Sequence, residues 1–128
     1  MDAYESAAAV LKALAHPVRL QIVQLLAEQG PACVCHLEAS LGQRQAYISQ
    51  QLATLRAAGL VVDRREGLNV FYSLVPANLP ALIGPIKDVA SRLAEASGGD
   101  LEGWGNFQHP SMSCACPDCV DAPVGAAC

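Results

Sequence analysis

Two groups of cysteines in the 128-residue chain have the residue type and spacing for chemistry. Cys33 and Cys35 lie in PACVCHLEASL, and Cys114, Cys116 and Cys119 lie in CACPDC, with Cys128 at the end. Clustered thiolates either take up soft ions or are oxidised to sulfur–sulfur bonds. An arsenite-like ion takes three sulfurs in a pyramid, and Cd(II), Pb(II) or Zn(II) takes three or four ligands. Cys33 and Cys35 alone therefore make an incomplete site. Side chains turn by about 100° per residue on a helix, so thiols at i and i+2 point nearly opposite ways. If both hold one ion, the helix must open at its start or begin later. One or two of the tail cysteines Cys114, Cys116 and Cys119 are expected to supply the missing ligands, with His109 beside them a candidate fourth. The alternative is a separate tail cluster independent of the CVC pair. His36 follows Cys35 and is expected to be exposed. His16, before Pro17, is expected to mark a helix boundary.

No enzyme is indicated. The chain has no Cys-His-Asp order, phosphate loop or paired carboxylates, and the thioredoxin-like CPDC has no βαβ context. The N-terminus MDAYESAAAV has no basic run before an apolar one, and no apolar stretch is long enough to span a bilayer. A cytoplasmic protein is expected, with reduced thiols and no membrane partner.

The elements that must position these groups follow from periodicity. Helices are expected at Tyr4 to Ala15, Val18 to Gln29, Val34 to Leu41 and Arg44 to Ala58, the second ending at Gly30-Pro31 and the third at Gly42. The period then changes. Leu60 to Arg65 and Asn69 to Leu74 read as a hairpin around Glu66-Gly67-Leu68. A last helix, Pro76 to Ala96, carries Leu82, Ile86, Val89 and Leu93 as an apolar stripe, with Pro85 expected to kink it or delay its start. From residue 98 the composition turns to Gly, Pro, Ser and Cys. This divides the chain into a folded domain at 1–97 and a flexible, cysteine-rich tail at 98–128.

The fold class is mainly α with a small β-hairpin, a winged helix-turn-helix in which Arg44 to Ala58 is the recognition helix. Its face opposite Ile48, Leu52 and Leu55 offers Gln45, Tyr47, Ser49, Gln50 and Gln51 to base edges and phosphates, and the wing adds Arg64 and Arg65. The net charge of −4 does not exclude a polyanion. Met1 to Val75 balances six basic against six acidic residues, and the whole excess of negative charge lies beyond it. Apolar faces on the first and last helices exceed what so small a unit covers. An isologous homodimer would bury them and present two recognition helices to a pseudo-palindromic site.

The runs LAHPVRLQIVQLL and CVCHLEASLGQRQAYISQQLATLRAAGLVVDRREGLNVFYSL resemble the ArsR/SmtB metalloregulators over about Leu11 to Leu74. The resemblance implies a homodimeric repressor, joined through its first and last helices, that binds operator DNA until a thiophilic ion, As(III)/Sb(III) or Cd(II)/Pb(II), releases it. Similar arsenic sensors have a third cysteine where this chain has Leu37. Histidines for the Zn/Co/Ni site of other members are missing from the last helix. The alternative is a repressor of the same fold that senses oxidants or reactive sulfur through its thiols.

Overall fold

A computed structural model describes residues 2–75, 77–105 and 107. Helix α1 (Ala3–Leu14) opens with a reciprocal cap, in which Glu5 N–H donates to Asp2 Oδ1 at 2.8 Å and Asp2 N–H to Glu5 Oε2 at 3.4 Å. Helix α2 (Pro17–Gln29) starts with Pro17 in its first turn, where a missing N–H costs nothing. The imidazole of His16 caps it, Nδ1 accepting from Val18 N–H at 3.1 Å, so the expected boundary histidine is a working cap.

After Gly30 comes a strand that periodicity could not reveal, β1 (Ala32–Cys33), two residues long. Helix α3 (Val34–Leu41) follows at the expected bounds and stops at Gly42, whose left-handed backbone (φ 63°) most side chains resist. Helix α4 spans Gln45–Ala57. Strands β2 (Val61–Glu66) and β3 (Asn69–Leu74) form the hairpin, joined through Gly67-Leu68. All pairings are antiparallel and the sheet order is β1-β3-β2, with Cys33 opposite Phe71 and Arg64 also opposite Phe71 on its other side. The first strand thus ties the thiol segment to the wing.

Helix α5 spans Pro80–Ala96, four residues shorter at its start than expected. Pro85 sits inside it and delays nothing. A proline ring clashes with the N–H and the Cβ of the residue before it, and Gly84 has no Cβ, so that part of the cost is absent. The helix still lacks one backbone donor at Pro85.

The core is built from α2, α3 and α4. Ile22, Leu25, Leu37, Ile48, Leu52 and Leu55 are fully buried. The fold continues past Ser97, because Trp104 and Phe107 pack on this core, with Lys87 Nζ 6.0 Å from the centre of the Trp104 ring. No helix among the described residues is long and apolar enough to cross a membrane.

Candidate dithiol site and nucleic-acid interface

The geometry at the start of α3 resolves the problem of two thiols one residue apart. Cys33 belongs to β1 and stands as the N-cap of α3 with extended backbone (φ −83°, ψ 165°), while Cys35 lies in the first helical turn. The change from extended to helical backbone at this point turns the side chains toward each other. Their sulfurs are 3.0 Å apart, within thiol hydrogen-bond reach and well beyond the bonded distance of about 2.05 Å. Cys33 is buried and packs with Phe71, whereas Cys35 is half-buried. No side chain caps this helix end, so its first amide groups favour negative charge beside the sulfurs. Among the described residues no third metal-ligating group joins the pair. Cys114, Cys116, Cys119, Cys128 and His109 all lie outside the described residues.

His36 corrects one expectation. It is fully buried, not exposed, and its Nε2 lies 2.7 Å from Gln29 Oε1. On an eight-residue helix that begins at Val34, position 36 falls on the side facing α2, the same side as the buried Leu37. The imidazole thereby ties the thiol-bearing turn to the end of α2. No pattern in the sequence distinguished this histidine from a surface one.

The recognition helix splits the residues predicted for it. Gln45, Ser49 and Gln50 are exposed on one face. Gln51 is not among them: it is buried, and its Oε1 accepts from Arg19 Nη1 at 2.9 Å. Arg19 also donates through Nε to the Ala13 carbonyl at 2.6 Å, so the guanidinium staples α1 and α4 across α2. Position 51 follows Gln50 by 100° of turn, and that rotation carries it to the edge of the Ile48–Leu52–Leu55 stripe. Tyr47 is half-buried, with its hydroxyl 3.1 Å from His16 Nε2. Because His16 Nδ1 accepts from the α2 amide, the neutral imidazole carries its proton on Nε2 and donates it to Tyr47 Oη. The tyrosine is thus held from within the domain at the edge of the polar face.

Arg44, omitted from the predicted set, is exposed at the N-cap of α4 beside Gly42, Gln43 and Tyr47. Its position next to the helix start was the available signal. In the wing, Arg64 and Arg65 are both exposed. Arg64 pairs with Glu66 at 2.8 Å and Arg56 with Asp63 at 3.3 Å, whereas Arg65 is in neither pair. Helix α4 itself carries no acidic residue.

A support helix packed into the core, a tight glycine turn, an exposed polar helix and a hairpin bearing two exposed arginines together define a winged helix-turn-helix transcriptional regulator. Residues 16–62 match the family described as "Bacterial regulatory protein, arsR family". The chain is 47% identical over 83 residues to the arsenical resistance operon repressor of Escherichia coli, covering 65% of this chain and 70% of that protein. It is 46% identical over 89 residues to the biofilm growth-associated repressor of Agrobacterium fabrum, covering 70% of this chain and 66% of that one. Among solved structures, the transcriptional repressor BigR of Xylella fastidiosa superposes with a TM-score of 0.63 at 38% identity, covering 67% of this chain and 87% of that one.

The chain belongs to the ArsR family of transcriptional regulators, a non-enzymatic class whose helix-turn-helix binds DNA.

Proposed function

We propose that this protein is a homodimeric repressor that grips a pseudo-palindromic operator when metal-free and releases it when a thiophilic ion binds Cys33, Cys35 and tail thiols. The ion belongs to the As(III)/Sb(III) or Cd(II)/Pb(II) group, and the tail ligands come from Cys114, Cys116 and Cys119. The observation that carries this reading is the 3.0 Å approach of the two sulfurs at the start of the helix that supports α4.

Strain generated there has a short route to DNA. Cys33 is fixed by its pairing with Phe71 in the sheet, and Cys35 moves with α3. Bonds of about 2.3 Å or longer to one ion, at pyramidal or tetrahedral angles, hold two sulfurs roughly 3.3 Å or more apart, wider than the 3.0 Å here. Accommodating the ion therefore shifts the first turn of α3 away from β1. Leu37 and Leu41 carry the shift into the packing against α4, which follows after only the Gly42 turn. Family couplings of this kind need only about 1–3 kcal/mol to change occupancy appreciably.

Chain length supports a tail ligand. Phe107 packs on the core, and the seven residues from there to Cys114 span up to about 25 Å when extended. The dimer is supported by Leu11 at 55%, Val89 at 60% and Leu93 at 66% exposure, on the first and last helices. Pro85, Ile86, Val89, Ala90 and Leu93 line one continuous apolar hollow on α5. The exposed Gln45, Ser49 and Gln50, with Arg44, Arg64 and Arg65 around them, supply the contacts to bases and phosphates.

The experiment is a titration of reduced protein with arsenite, antimonite, Cd(II) and Pb(II), following thiolate-to-metal ultraviolet absorption and operator release. At least one ion should give both signals, Cys33→Ser should abolish both, and truncation after Met112 should weaken them. A truncated protein that responds normally removes the tail from the site. Release by none of the four ions removes the metal reading.

A further inference from the structure

We propose that Cys33 and Cys35 also form a redox gate: a hydroperoxide closes them into an internal disulfide that leaves the repressor on DNA and blind to thiophilic ions. The pair already stands at 3.0 Å, so closure to about 2.05 Å needs roughly 1 Å of approach. The flanking backbone allows that approach, because Cys33 lies outside the helix and no side chain caps the end between them.

The two thiols have different parts. Cys35 is the more exposed and meets the oxidant, whereas Cys33 is only 3% exposed. The Cys35 thiolate attacks the terminal oxygen of the hydroperoxide, forming an S–O bond, breaking O–O and releasing the alcohol, or water from hydrogen peroxide. The Cys33 thiol then attacks the sulfenic sulfur. An S–S bond forms, the S–O bond breaks and water leaves. Two thiols lose two electrons in all, and the hydroperoxide gains them.

The direction of movement separates this state from the ion-bound one. An ion holds the sulfurs roughly 3.3 Å or more apart, whereas the disulfide draws them inward from 3.0 Å. The oxidised pair draws Cys35 toward β1, opposite to the ion-bound displacement, and leaves no thiolate to take up an ion. The gating step rests on the proposed role of these cysteines as effector ligands. The closure does not, and the experiment tells the two failures apart.

Trypsin cuts after Arg19 and Arg44, giving a peptide Leu20–Arg44 that holds Cys33 and Cys35 and no other cysteine. The tail cysteines all fall in Leu93–Cys128. Reduced, metal-free, full-length protein is treated with a small excess of hydrogen peroxide, alkylated with iodoacetamide and digested without reductant. The expected product is Leu20–Arg44 lighter by two hydrogens, refusing the alkylating agent until a reductant is added. A peptide that remains doubly alkylated, carries added oxygen, or is joined to Leu93–Cys128 overturns the closure.

A Cys33→Ser protein should retain a sulfenic acid at Cys35 that a dimedone probe captures within Leu20–Arg44. Capture at Cys33 in Cys35→Ser at an equal rate overturns the assigned order. On operator DNA, the oxidised protein should bind within about twofold of the reduced protein and ignore arsenite and Cd(II) until reduced. Release by peroxide itself overturns the gate. If neither ion releases the reduced protein, the ligand reading fails, and the peptide mass still decides the closure.

Discussion

Helices α4 and α5 are both amphipathic, yet among the described residues only α4 finds cover for its whole apolar stripe. Ile48, Leu52 and Leu55 of α4 are all fully buried. On α5, Leu79 at its cap and Ile83 are buried, while Val89 and Leu93 on the turns beyond stand more than half exposed. The α4 stripe is therefore part of the protomer's own stability, and its polar face is left to meet another molecule. The α5 stripe contributes little to the isolated protomer and is itself the surface that needs another molecule. One helix is complete and displays polar groups, whereas the other is incomplete and displays apolar ones.

The largest test of that contrast is Leu52→Ala, which removes fully buried methyl groups and should cost about 2–5 kcal/mol in urea-induced unfolding. Val89→Ala, at a half-exposed site, should cost the isolated protomer far less, and equal losses would erase the distinction. Next in size is the double substitution Val89→Glu and Leu93→Glu. It should leave helix content unchanged in circular dichroism, shift sedimentation from dimer to monomer, and weaken operator binding roughly 100-fold by loss of the linked second half-site. A dimer that survives both charges places the interface elsewhere.

Gln50→Ala and Gln51→Ala sharpen the comparison on α4 alone. Gln50→Ala should lose about 1–3 kcal/mol of operator affinity, concentrated at one base position, with little change in melting temperature. Gln51→Ala should do the reverse, because it releases Arg19 from its staple rather than a base. Base-specific loss at Gln51 would mean that α4 rotates on binding DNA. Smallest, Arg65→Ala should reduce the salt dependence of binding by about one phosphate contact. Opening the exposed Arg64–Glu66 pair with Glu66→Gln should alter stability by less than about 1 kcal/mol.

Much of the fold was legible because the periodic signals were strong. The bounds of α3 and β3 were read as they stand, since Gly42 and the β-branched and aromatic run at Asn69–Leu74 leave little choice. β1 was not legible: two residues cannot display a period, and the strand exists only because β3 is there to pair with it. The start of α5 lies later than expected because two prolines compete for it, and the cap falls on Leu79, which makes no side-chain cap bond, with Pro80 as the first helical residue. At the site, the convergence of Cys33 and Cys35 depends on a backbone transition between them, which spacing rules for a regular helix cannot contain. Gln51 and His36 went astray for a related reason. Polar residues are assigned to the surface by default, and only the placement of Arg19 and Gln29 shows what satisfies them inside.

Trp104 has a consequence of a different kind. It is the chain's single tryptophan, and its ring sits near Lys87, where the segment after α5 lies back on the core. Its emission is therefore an inherent optical label at the root of the cysteine-rich tail, distinguishable from the three tyrosines by its longer wavelength. An unaltered sample can report in real time when that root shifts, with no dye attached to any of the six cysteines.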